Sequence, residues 1–255
     1  MKNKRKIMGI VIIILIIGIL ICFGVFSYNK YKSSSPKDNE KYELLDLTDK
    51  TILELFQLTR GNSNNFLFNS TEYENIYYKN DITEISKTDN NFRLLLTYLN
   101  LPNKYFESKG EAGITISGSN FKKMYQKIFG SIKYVPEDIN YSCPAIIKYN
   151  KSNDIYTIDD NCGGNNLSGY IDKLIEARKY SDRIEIYEKV AFYFVDEEQE
   201  RIIYTINDDY SILLVETSLE DEFNIDNHLE RLHTYKYTFK LDGENYHFTK
   251  VTKEN

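Results

Sequence analysis

The segment Asp159-Asp160-Asn161-Cys162-Gly163-Gly164-Asn165-Asn166 gathers the side chains best suited to chemistry. Carboxylates and amides on a glycine-softened loop are oxygen ligands for a hard cation such as calcium, with Asp159, Asp160, Asn161 and Asn165 as candidates. The spacing is not that of an EF-hand, and a polar turn leaving a strand has the same composition. Paired carboxylates also act as acid and base in sugar hydrolysis. Neighbouring residues of a strand face opposite ways, however, which sets Asp159 and Asp160 apart.

Of the three cysteines, Cys22 lies in an apolar run, while Cys143 and Cys162 flank a predicted hairpin. A turn at Ser152 and Asn153 pairs Tyr149 with Tyr156, Ile147 with Ile158 and Ala145 with Asp160, and sets Cys143 opposite Cys162. In an oxidising compartment these two form a structural disulfide worth about 3 kcal/mol on loop-closure grounds. Two unrelated buried thiols are the alternative. There is no C-x-x-C pair for redox catalysis. His228, His233 and His247 fit no H-E-x-x-H pattern and read as exposed strand or loop residues. Gly163-Gly164 does not continue into a phosphate loop, and no serine sits in a G-x-S-x-G elbow. The sequence therefore assigns no catalytic residue, metal or cofactor.

The elements that carry these residues divide at Ser142. Before it the apolar period is helical. Thr48 or Asp49 caps a helix burying Ile52, Leu55 and Phe56 that stops near Gly61; Asp89 caps one burying Phe92, Leu95, Leu96 and Leu99 before Pro102; Ser119 starts one burying Phe121, Met124, Tyr125, Ile128 and Phe129, with Gly130 after it. Beyond Ser142 the period is two, which predicts antiparallel hairpins. A turn at Ser181 and Asp182 puts Ile171, Ile175, Ala177, Ile184, Ile186, Val190, Phe192 and Phe194 on one face and sets Arg178 against Glu185 as an ion pair. A turn at Asp242 and Gly243 gathers Tyr235, Tyr237, Phe239, Tyr246 and Phe248. Two further strands, Ile202 to Ile206 and Tyr210 to Val215, flank Asn207-Asp208-Asp209. The expected fold is α+β, with about three helices packed on an antiparallel sheet.

The 22 tyrosines, with no tryptophan, serve mostly as core and strand filler, and offer material for a binding face. The net charge of −6 includes Lys2, Lys4, Arg5 and Lys6, so the chain beyond them carries −10. Such a domain repels phosphate backbones, which excludes nucleic acid as a partner.

Ile7 to Phe26 is twenty residues without a charge, enough for a helix to cross the roughly 30 Å hydrocarbon core. Residues 1–6 then form a basic cytoplasmic N-terminus, 7–27 a signal anchor, 28–42 a Ser-, Pro- and Lys-containing linker, and 43–255 one extracytoplasmic domain. A signal peptide cut after Ser27 is the main rival, although the run exceeds the usual length of such a region. Inverted topology, with the domain in the cytoplasm, is another.

A Lys-rich signal anchor, a Ser/Lys linker and a Tyr-, Asn-, Ile- and Lys-rich α+β domain together resemble the single-pass membrane-anchored extracytoplasmic proteins of low-GC Gram-positive bacteria. The helix starting at Ser119, followed by paired strands, is also loosely similar to cystatin-like or NTF2-like folds. The resemblance implies a cell-membrane location and brings no site residue with it. The expected role is non-catalytic: binding an envelope protein or ligand, or serving as a structural element. The competing class is an envelope hydrolase using acidic residues near Asp159 and Asp160.

Overall fold

The computed structural model describes residues 40–61, 76–108, 113–140, 146–158 and 167–254. The chain divides into two units, Met1–Lys41 and Tyr42–Asn255. The expected membrane segment Ile7 to Phe26 lies outside the described residues. Among those described, no helix is long and apolar enough to cross a membrane. The second unit is an α+β fold of a few helices and antiparallel sheets.

Helix α1 (Lys50–Leu58) starts where the Asp49 carboxylate accepts from the Thr51 amide, and α2 (Asn90–Leu99) where Asp89 accepts from Phe92. A carboxylate there satisfies an orphan N–H and meets the positive end of the helix dipole. In α3 (Gly118–Phe129) the cap is Ser117 rather than Ser119. Ser117 has extended backbone, φ −68° and ψ 139°, and its hydroxyl accepts from Asn120. Gly61 and Gly130 follow α1 and α3 at φ +91° and +61°. A side chain is strained in that left-handed region, and glycine is not.

The strands form two sheets, not one. A five-stranded sheet has the order β3 (Glu107–Ser108), β4 (Ile114–Ser117), β7 (Ile155–Ile158), β6 (Ile146–Asn150) and β5 (Ile139–Asn140). An eight-stranded sheet runs β1 (Glu43–Leu44), β8 (Ser168–Lys179), β9 (Arg183–Asp196), β12 (Thr234–Asp242), β13 (Asn245–Glu254) and β2 (Ile82–Glu84). From it β10 (Arg201–Thr205) and β11 (Leu213–Ser218) branch off. The branch follows from the length of β9: its Arg183 to Lys189 stretch pairs with β12, and Phe192 to Asp196 pairs with β10.

In the β6–β7 hairpin, Tyr149 lies opposite Tyr156 and Ile147 opposite Ile158, as the sequence predicts. The continuation of that register through Ala145 and Asp160 to Cys143 and Cys162 falls outside the described residues. In β8–β9, Arg178 does lie opposite Glu185, but the two do not pair. Arg178 bonds Glu176 at 2.6 Å and Glu185 bonds Arg183 at 2.8 Å, each two positions along its own strand. A bulge between Leu174 and Glu176 then exchanges the faces of β8. Tyr170 and Leu174 join the main core, whereas Ile171 packs on the opposite side with Ala191, Tyr204, Leu214 and Leu232. In β12–β13, Asp242 pairs with Asn245, so the loop residues are Gly243 and Glu244, one position beyond expectation.

One main core joins both sheets and the helices, through Phe121 and Tyr156 on one side and Tyr235, Tyr237, Phe239 and Phe248 on the other. Tyr77, Tyr78, Tyr125, Tyr156, Tyr235 and Tyr237 are all fully buried, so tyrosine is core material here.

Candidate functional site: a buried charge clamp behind a lysine-lined groove

Strand β9 alternates Ile184, Ile186, Glu188, Val190 and Phe192 on its core face, which carries a carboxylate into the apolar interior. Glu188 is 0% exposed. An isolated buried charge is untenable, and the partner comes from two residues past the end of α1. Nη2 of Arg60 donates to both Glu188 oxygens at 2.6 and 2.5 Å, and to the Tyr78 hydroxyl at 2.9 Å. The Tyr237 hydroxyl donates to the same carboxylate, as does that of Tyr78 at 3.4 Å. The guanidinium lies over the rings of Phe56 and Tyr170, 4.7 Å from each centroid. Asp172, half-buried, approaches Nη1 at 3.3 Å.

Burial pushes the Glu188 carboxyl up to about 7 against the downward pull of Arg60, and Asp172 adds to the rise. With three donors already on it, this carboxylate is a structural tie between α1 and the large sheet. Asn100 fixes the same helix end from the other side. Its buried amide donates to Leu58 O at 3.1 Å and Leu96 O at 2.9 Å, linking α1 to α2. Tyr77 donates to Thr59 O at 2.9 Å.

The outer face of that fixed helix is one wall of a groove of about 510 Å³. Glu54, Gln57 and Leu58 come from α1, Asn100 and Pro102 from the end of α2, and Lys104 and Tyr105 from the following turn. Lys123, Met124 and Lys127 come from α3. A spacing of four residues puts Lys123 and Lys127 on one helix face. Among the described residues none of Lys104, Lys123 and Lys127 forms an ion pair. The one groove carboxylate, Glu54, has Lys50 at 3.5 Å.

Asp159, Asp160, Asn161 and Asn165, the loop candidates from sequence, lie outside the described residues, as do Cys143 and Cys162. The histidines are scattered: His228 stacks on Phe223, His233 lies between the Ile225–Arg231 turn and β12, and His247 sets Nδ1 against Lys127 O at 3.1 Å. Among the described residues no group of three His, Cys, Asp or Glu could hold a metal ion. Neither Arg60 with Glu188 nor the groove lysines were expected from sequence. Glu188 left a signal, a lone acid on the apolar face of a period-two run. The lysines left only the four-residue spacing of Lys123 and Lys127, because Lys104 comes from a separate segment.

Comparison with protein-family models, with curated proteins and with solved structures gives no match.

Proposed function

We propose that this protein is a non-catalytic binding module, anchored in a membrane through Ile7 to Phe26 and presenting its folded domain on the extracytoplasmic side. The anchor rests on twenty uncharged residues behind a basic cluster. The binding role rests mainly on one observation. The buried carboxylate Glu188 is consumed by a structural clamp, whereas the concave surface on the helices carries cations with no ion-pair partner among the described residues. Pockets of a few hundred Å³ with a few polar groups over an apolar floor are the usual form of a ligand site.

Topology is tested in intact cells with an impermeant thiol reagent. An extracytoplasmic domain predicts that Cys143 and Cys162 are labelled only after reduction, and that the protein stays in the membrane fraction through alkaline extraction. Recovery from cytosol, or of a released chain beginning at Tyr28, overturns the anchor. The binding role is tested by capture of envelope components on the full chain in neutral detergent. Capture that is lost in Lys123→Ala/Lys127→Ala and kept in Asp159→Asn/Asp160→Asn supports it. Turnover of an envelope glycan that is lost in the aspartate variant would instead establish the hydrolase.

A further inference from the structure

We infer that the groove between α1 and α3 takes a small organic anion, a carboxylate or phosphate ester carried on an apolar or aromatic body. This rests on the reading of the domain as a binding module and specifies the chemistry of its ligand.

Two parts of the lining carry the inference. Lys104, Lys123 and Lys127 supply three positive charges against the single carboxylate of Glu54, and Lys50 stands beside that carboxylate. Lysine ammonium groups act as point charges and suit carboxylate or phosphate oxygens equally. Leu58, Pro102, Met124 and Tyr105 supply the apolar surface between them. A bare inorganic ion would leave that surface unused, and a neutral apolar molecule would leave the lysines unused.

Charge at longer range sets the size of the ligand. The chain after its basic N-terminus carries −10, so a polyanion meets net repulsion over the whole surface. At physiological ionic strength the screening length is about 8 Å. A compact anion inside the groove therefore feels the local lysines and little of the distant acids. The groove volume, about 510 Å³, suits a molecule of that size.

Met124 supplies a reporter, since Met1 and Met8, the other two methionines, both lie in the N-terminal segment. With the full chain in neutral detergent, methyl-labelled on methionine, benzoate and phenyl phosphate are titrated beside benzylammonium and benzyl alcohol. The expected result is a saturable shift of the Met124 methyl with one or both anions, weaker in high salt. Affinity should fall roughly tenfold in Lys123→Ala/Lys127→Ala, as expected for removing two point charges from a partly solvated site. It should stay unchanged in Lys122→Ala, an exposed lysine of the same helix outside the groove lining. The stronger of the two anions identifies the carboxylate or the phosphate source. An equal response to benzylammonium or benzyl alcohol overturns the anion and leaves the binding module standing. No saturable shift with either anion also overturns the inference, and envelope capture then judges the module by itself.

Discussion

Arg60 and Glu188 meet 128 positions apart in the chain, with one guanidinium nitrogen donating to both carboxylate oxygens. The contact spans from the end of a helix to the middle of the central strand, so it sets where α1 lies on the large sheet. The far side of α1 is a groove wall, and the clamp is thereby part of the groove's framework.

Removing one partner of this pair should be costly. Arg60→Met removes the cation that holds the buried Glu188 carboxyl down, so the carboxyl either stays ionised without its partner or takes up a proton. The expected loss of unfolding free energy in urea is about 3–5 kcal/mol. The double variant Arg60→Met/Glu188→Leu should recover part of it, because the apolar pair needs no partner while the buried Tyr237 hydroxyl loses its acceptor. A double variant as unstable as the single one would show that the clamp does more than neutralise a buried charge.

The pH dependence comes from the same carboxyl. Its folded value of about 7 lies above the ordinary 4.5, so the folded protein holds more protons between these values than the unfolded chain. Its contribution to stability is fully present below 4.5 and is lost as pH rises through 7. Glutamine stands in for the protonated carboxyl, so the stability of the native chain relative to Glu188→Gln should fall as pH rises across that window. Comparing the two proteins cancels other titrations, including that of His233, whose burial pulls it below its usual range. A difference independent of pH would contradict the burial-driven shift.

Gly130 and Gly243 separate backbone strain from crowding. Both have positive φ, +61° and +62°, but a Cβ at Gly130 would sit 2.8 Å from His247 Cδ2, whereas one at Gly243 meets nothing within 4 Å. Alanine at Gly243 should cost about 1 kcal/mol, the strain alone. Alanine at Gly130 should cost more by thermal unfolding, and His247→Ala in that background should return part of the loss. Equal effects at the two glycines would remove His247 from the argument.

Asn100→Ala deletes a buried amide and leaves the Leu58 carbonyl without that donor. The expected loss is about 1–3 kcal/mol, with faster amide exchange at the end of α1. Unchanged exchange there would mean that the Arg60 clamp alone holds this helix end.

Local chemistry is what the amino-acid order determined by itself. Asp49 and Asp89 stand ahead of apolar runs with helical spacing, and they cap α1 and α2. Alternation about Ser152 and Asn153 was enough for the register of Tyr149 with Tyr156. These features depend on residues within a few positions of one another, and the periods 3.6 and 2 report them directly. The run of uncharged residues from Ile7 to Phe26 is likewise written in the order alone.

Tertiary structure decided the rest. The bulge near Ile175 turned Ile171 to the other face, a shift that one extra residue produces without altering composition. The division into two sheets, with β1 on β8 and β2 on β13, joins segments far apart in the chain. Likewise Glu188 is visible in sequence as an acid within an apolar face, but the cation that makes it tolerable comes from the end of α1. Of the groove lysines only Lys123 and Lys127 share a local pattern, and the packing of α3 with the ends of α1 and α2 brings Lys104 to the same surface. Long-range pairing is selected by burial and by the neutralisation of buried charge. Both are properties of the folded chain, and no short window of sequence contains them.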